Sequence, residues 1–202
     1  YEDKKIEEIE SINNPENKSS GSRKVFFSRE IYIEKSDFME VPSKKFFRLT
    51  LGAEVRLLHA YYIKCKKIIK NKSGEIQELH CTYDPKSYGG WTKDGRKVKG
   101  TLHWVSVEHS LQGTINCYDK LFNSPNPIDC DINKDFTQNI NNQSIKMIKN
   151  AKFEASLINA TPDNKYQFVR KGYFTCDQSS NDSNLIFNQI VGLRDNWSKK
   201  NL

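Results

Sequence analysis

The 202-residue chain has no apolar run of the roughly 18 residues that a transmembrane helix requires. Its cysteines are few and scattered: Cys65, Cys81, Cys117, Cys130 and Cys176, no two of them in C-x-x-C spacing. That pattern excludes a zinc knuckle or a thioredoxin-like site, and an odd, widely spaced set fits a reduced, cytoplasmic protein. Cys65, Cys81 and Cys117 fall on apolar strand positions and are expected as small core residues. There is no G-x-x-x-x-G-K-S/T phosphate loop, no H-E-x-x-H and no G-x-S-x-G. The histidines show no ligand spacing, so no metal ligand and no catalytic residue is assigned. Heptads, internal repeats and low-complexity tracts are missing too. The first residue is Tyr1 rather than Met, with no basic start ahead of an apolar segment. The expectation is therefore a segment of a longer polypeptide without a secretory leader. The N-x-S/T sequons, at Asn17, Asn71, Asn142, Asn159, Asn181 and Asn196, read as chance matches in an Asn- and Ser-rich chain.

What the chain does have is aromatic residues, at 11%, and a net charge of +7. The charge is uneven. Residues 1–22 sum to −3, residues 23–105 carry 18 basic against 9 acidic side chains, and residues 106–202 sum to +1. Nucleic-acid phosphate is one partner for such a segment; a lysine-rich solubilising surface is the other reading, and charge alone leaves both open.

Hydrophobicity alternates with period two over much of the length. Residues 1–22 read as an acidic loop or frayed edge. A short strand is expected at 30–34. Tyr61, Ile63 and Cys65 share one face while Lys64 and Lys66 point away. Asn71-Lys72-Ser73-Gly74 closes a hairpin, and the return strand alternates Leu79, Cys81 and Tyr83 with polar residues. Asp94-Gly95 marks another turn, after which Val98, Gly100, Leu102 and Trp104 alternate with Lys97, Lys99, Thr101 and His103. Further strands are expected at 112–118, 165–176 and 185–191, and only 136–160 suits short helices. Many short strands with turn signals give an all-β barrel or pair of barrels. His103, beside Trp104 on a strand, reads as a structural histidine.

Several ordered motifs carry a resemblance. Gly21-Ser22-Arg23, Glu30-Ile31-Tyr32-Ile33-Glu34 and Asp37-Phe38 resemble the entry to the C-terminal domain of bacterial-type glutaminyl-tRNA synthetases. The run Phe47-Arg48-Leu49-Thr50-Leu51-Gly52-Ala53-Glu54-Val55-Arg56-Leu57 is similar to that family's R-L-x-L-G-x-E-V-R-L segment. Cys81-Thr82-Tyr83-Asp84, Asp94-Gly95-Arg96-Lys97-Val98-Lys99-Gly100 and Leu102-His103-Trp104-Val105-Ser106 follow in order. Tyr118-Asp119-Lys120-Leu121-Phe122, Gln167-Phe168, Gly172-Tyr173-Phe174 and Val191-Gly192-Leu193-Arg194-Asp195 extend the likeness nearly to the end.

The resemblance implies an all-β fold of two consecutive β-barrels with minor helix, of the barrel type also found in a ribosomal RNA-binding protein. The proximal barrel would comprise 1–105 plus 178–202, and the distal barrel 106–177. It further implies a monomer without membrane attachment. Its RNA partner would be the anticodon stem-loop of glutamine tRNA, and its protein partner a catalytic domain earlier in the same polypeptide. ATP with magnesium would serve that domain, and no cofactor is expected here. Arg48 matches the family's arginine at the third anticodon base, a guanine whose O6 and N7 suit a guanidinium fork. Arg56 matches the arginine at the first base, and Gln167 the glutamine at the central uracil, whose edge needs one donor and one acceptor. Arg170 matches a basic position near that base. Lys97 and Lys99 would meet backbone phosphate. Phe47 and Leu58 stand where members of the family can carry basic residues, and Phe47 is placed to stack on a base. By position alone, Arg48 and Arg56 could equally be ion-pair partners of Glu54. The anticodon-binding domain of a glutamyl-tRNA synthetase and a free-standing ribosomal RNA-binding protein are the alternative readings.

Overall fold

Alternation with period two becomes thirteen short strands in the computed structural model, which describes residues 1–127 and 135–193. They are β1 (Glu7–Ile12), β2 (Ser22–Phe27), β3 (Ile31–Ile33), β4 (Glu54–Leu57), β5 (Tyr62–Lys70), β6 (Ile76–Asp84), β7 (Thr101–Leu102), β8 (Trp104–Ser106), β9 (Leu111–Tyr118), β10 (Ile145–Phe153), β11 (Lys165–Phe168), β12 (Gly172–Cys176) and β13 (Leu185–Gly192). Helical structure is limited to short 3-10 turns, among them 136–139 and 155–159 within the stretch expected to hold helix. The all-β class is as expected. The sheets are open, however, and no closed barrel forms among the described residues.

The chain divides into two compact units. The first comprises Tyr1–Ser110 with Glu154–Ser156; the second comprises Leu111–Phe153 and 157 onward.

In the first unit β1 pairs with β2, β3 with β8, and a four-stranded sheet runs in the order β6-β5-β4-β7. Its core gathers Ile9, Phe27, Val55, Leu57, Ile63, Leu102 and Trp104, with Ile31 and Ile33 of β3 and Leu79 and Tyr83 of β6 packed against them. The β5–β6 hairpin closes as the sequence predicts, with Gly74 at φ +81°, a conformation in which a Cβ is strained. Two expectations about strands fail in this unit. Residues 7–12 form a paired strand, because Ile9 and Ser11 turn inward and are buried. The strand expected to begin before Thr101 does not, since Lys97–Gly100 follow a turn rather than a ladder.

Burial also corrects the cysteines. Cys65 is in the core, but Cys81, directly across the ladder, is exposed and Cys117 is half-buried. Cys130 lies outside the described residues. His103 behaves as a structural histidine: its Nε2 is 3.0 Å from Glu154.

The second unit is one five-stranded sheet in the order β10-β9-β13-β12-β11. Phe153, Phe174, Leu185 and Phe187 form its core. The return to the first unit expected of 178–202 does not occur over 178–193. β13 runs parallel to β9 and antiparallel to β12, and burying Leu185 and Phe187 against Phe153 and Phe174 holds it there. Each such side chain contributes about 1.5–3 kcal/mol. Gly113 permits the close β9–β13 approach, because a Cβ there would collide with the Leu185 carbonyl. Arg194 and Asp195 lie outside the described residues.

Candidate nucleic-acid interface

An open cleft of about 410 Å³ lies on the first unit. It is lined by Phe47 and Arg48 from the 42–50 segment, by Glu54 and Val55 from β4, and by Arg96, Lys97, Lys99 and Gly100. Four of the predicted RNA-binding residues, Phe47, Arg48, Lys97 and Lys99, thus line one cleft.

Leu49 positions Arg48. It is buried, its N–H donates to the Asp37 carbonyl at 3.0 Å, and its own carbonyl accepts from Met39 N–H at 3.2 Å. Arg48, next in line, turns back over the same segment. Its Nη1 donates to the Ser36 carbonyl at 3.0 Å and lies 3.1 Å from Oδ1 of the buried Asp37. Nε and Nη2 take no hydrogen-bond partner among the described residues. They form one edge of the guanidinium plane, and that edge is a two-donor fork. The ion pair with Glu54 that position alone allowed is not made.

Glu54 is instead bound by Arg96. Arg96 Nε and Nη2 reach the two Glu54 carboxylate oxygens at 2.9 and 3.2 Å. Nη2 also meets Asp84 at 2.5 Å and Nη1 meets Asp94 at 2.6 Å. These three carboxylates push the Arg96 guanidinium still further toward its protonated form, with Glu54 the main contributor. In turn, the hydrogen bond from Arg96 holds the Asp84 carboxyl below the usual range. The consequence is mechanical: the turn at Asp94-Gly95 is tied to the ends of β4 and β6, and Lys97 and Lys99 are held at the cleft. Lys99 Nζ lies 5.1 Å from the centre of the half-exposed Phe47 ring, a cation–π contact. Gly100 passes close to the Phe47 carbonyl, where a Cβ would approach to 2.5 Å.

Arg56 is presented by β4 but does not line the cleft. Its Nε and Nη2 both donate to Thr101 Oγ1, at 3.0 and 2.8 Å. Its guanidinium lies 6.0 Å from the Trp91 ring. Leu58, beyond the end of β4, serves the fold: its carbonyl accepts from Trp104 Nε1 at 3.0 Å.

Gln167 and Arg170 belong to the second unit. Gln167 is an exposed residue of β11 opposite Tyr173. Arg170 occupies the β11–β12 turn at φ +61°, and Lys171 N–H closes that turn onto the Phe168 carbonyl at 2.8 Å.

Two models for the anticodon-binding domain of class I tRNA synthetases (E and Q) match the chain, one over residues 1–84 and the other over 101–177. The chain belongs to this anticodon-binding family. Its relatives in the family are similar over nearly all of its length. A glutamine–tRNA ligase of Bradyrhizobium diazoefficiens is 46% identical over 200 residues, covering 99% of this chain and 35% of the ligase. Those of Serratia proteamaculans and Proteus mirabilis are 47% and 46% identical, over 96% and 93% of this chain and 34% and 33% of their own lengths. The chain therefore spans about a third of the length of the curated relatives it matches. Among the described residues no helix is long and apolar enough to cross a membrane.

Within this anticodon-binding chain, sequence reasoning missed Asp37 and Arg96. Asp37 lies inside the Asp37-Phe38 motif, but no local pattern joins it to Arg48. Arg96 lies inside a quoted motif, but its partners Glu54 and Asp84 are 42 and 12 residues away, and no local pattern joins them.

Proposed function

We propose that the chain is the anticodon-reading part of a glutamine–tRNA ligase. It binds the anticodon loop of glutamine tRNA so that the ligase attaches glutamine to the correct acceptor. The relatives bearing that name support this partner. ATP with magnesium is used in the ligation step, and no residue described above is assigned to it.

One observation carries the reading: Arg48 is anchored through Nη1 alone, and its Nε/Nη2 edge stays open at the rim of a basic, aromatic cleft. Guanine presents O6 and N7 as two acceptors matched to such a fork. Single-stranded loops expose those edges, whereas duplex RNA hides them. Arg48 thus takes the third anticodon base, Phe47 offers a ring face beside it, and Lys97 and Lys99 neutralise phosphate. Arg56 takes the first base through donors not spent on Thr101. On the second unit, Gln167 offers its amide to the central uracil with Arg170 nearby.

Fluorescence anisotropy with the glutamine-tRNA anticodon stem-loop, its third-base variants, a glutamate-tRNA stem-loop and ribosomal RNA tests this. The glutamine stem-loop should bind most tightly, with affinity falling as salt rises. Arg48→Ala should cost about 1–3 kcal/mol and relax the preference at the third base. Equal affinity of the wild type for every third-base variant would refute the readout.

A further inference from the structure

Trp91 is 76% exposed, the most open aromatic ring described. A tryptophan in that position leaves its large apolar surface in water, where side chains of this size are ordinarily highly buried. The residue is not on a loose tip. Gly90, immediately before it, is fixed at both ends of its backbone: its N–H donates to the Ala60 carbonyl at 3.1 Å, and its own carbonyl accepts from the buried Tyr62 hydroxyl at 3.1 Å. Gly89 and Gly90 both take positive φ, +78° and +84°. At Gly90 a Cβ would come within 2.5 Å of Arg56 Cδ, so the absent side chain lets the Arg56 stem lie against the backbone. Trp91 therefore projects from a tied point, beside an arginine whose own orientation is set by Thr101.

We propose that Trp91 is a stacking platform for one unpaired nucleobase of the bound RNA, with Arg56 as its cationic neighbour. The inference rests on the RNA-binding reading above and adds a contact to it. An indole face accepts any base, because every base has a π-face, and an adjacent guanidinium adds attraction to the base or its phosphate. The segment 23–105 that holds both residues carries the chain's basic excess. The two hydrogen bonds that fix Gly90 limit the conformational entropy lost when the base settles. Trp91 thus strengthens binding without choosing the sequence, while the fork of Arg48 chooses it.

The test uses the 202-residue chain with a glutamine-tRNA anticodon stem-loop and a fully paired RNA of equal length. Trp91→Ala and Trp91→Leu should weaken stem-loop binding by roughly 5- to 150-fold, the range for loss of one base–aromatic stack. Trp91→Phe should stay close to the wild type. The salt slope should be unchanged in all three, since no phosphate contact is removed. Stem-loop addition should quench tryptophan fluorescence in the wild type, and Trp91→Phe should abolish most of that change. Circular dichroism confirms that each variant is folded. If Trp91→Ala binds the stem-loop as tightly as the wild type does, the stacking platform is refuted and the anticodon reading stands. Equal wild-type affinity for the paired RNA also refutes it. A wild type that binds neither RNA overturns the anticodon reading and the platform together.

Discussion

Glu154 is a largely buried charge of the first unit. Its side chain is 11% exposed and accepts from Arg23 Nε at 2.5 Å, Arg23 Nη2 at 3.0 Å, His103 Nε2 at 3.0 Å and Ser156 Oγ at 3.5 Å. Burial by itself would raise its pKa; the hydrogen bonds from His103 and Arg23, with their charges, outweigh burial and bring it down from 4.5 to about 2. A difference of that size is worth about 3 kcal/mol. Because the folded value lies below the unfolded one, this stability is complete above pH 4.5 and is lost as pH falls toward 2. At pH 3 about 2 kcal/mol should already be gone. Glu154→Gln keeps the shape but leaves the Arg23 guanidinium without its carboxylate. At pH 7 it should cost about 2–3 kcal/mol, below the range for a fully buried pair because Arg23 retains 27% exposure. Urea unfolding followed by the fluorescence of the buried Trp104 is the assay, run on both proteins at pH 7 and pH 3. The gap between them should shrink by about 2 kcal/mol at the lower pH. A gap at pH 7 smaller than about 0.5 kcal/mol, the scale of an ordinary surface change, would refute the reasoning. So would a gap that does not depend on pH.

Lys97→Ala and Lys99→Ala should each lower the slope of log affinity against log salt by about 0.7 if each neutralises one phosphate of a single strand. Anisotropy titrations at several salt concentrations check this, and an unaltered slope would remove that lysine from the interface. Gly100→Ala should destabilise the chain by about 1–3 kcal/mol, because the new methyl meets the Phe47 carbonyl. Urea unfolding would show it, and RNA affinity should fall as well, since the Phe47 wall of the cleft must shift. Wild-type stability and affinity in that variant would mean that the approach of Gly100 to Phe47 does not shape the site.

The legible parts of the fold are those where an inward face is apolar and a turn has its own chemistry. At the start of β5, Ile63 and Cys65 continue the buried face that Tyr61 begins, and Asn71 to Gly74 close the hairpin. β1 is illegible for the opposite reason. Its inward pair is Ile9 and Ser11, so the buried face includes a hydroxyl while Ile12 is 49% exposed. Hydrophobic alternation has nothing to follow there. β10 is hidden by an irregularity: the register shifts between Ile148 and Ala151, with Asn150 at φ +58°, and this breaks the period of two. β13 was legible as a strand but not in its placement. Which sheet receives Leu185 and Phe187 depends on the complementary Phe153 and Phe174, and pattern within one strand does not encode its neighbour.

The site divides the same way. Position in the chain offered Glu54 as a partner for Arg48 or Arg56, and a bidentate ion pair would have consumed the fork proposed to read a base. The fold resolves this by supplying a third arginine. Arg96 takes Glu54, Asp84 and Asp94, and so removes the carboxylate nearest in sequence to Arg48 from competition. Arg48 is then held by Asp37 through a single nitrogen. An arginine anchored at one end loses less rotamer freedom on binding, so more of its hydrogen-bond energy reaches the complex. At Arg48 a structural ion pair is compatible with the proposed base reading, because the contact to the buried Asp37 leaves the Nε/Nη2 edge open. Arg56 is likewise oriented by Thr101, a neutral acceptor that does not offset the guanidinium charge. Gathering Glu54, Asp84 and Asp94 onto one arginine keeps those three carboxylates away from the other cations that line the cleft.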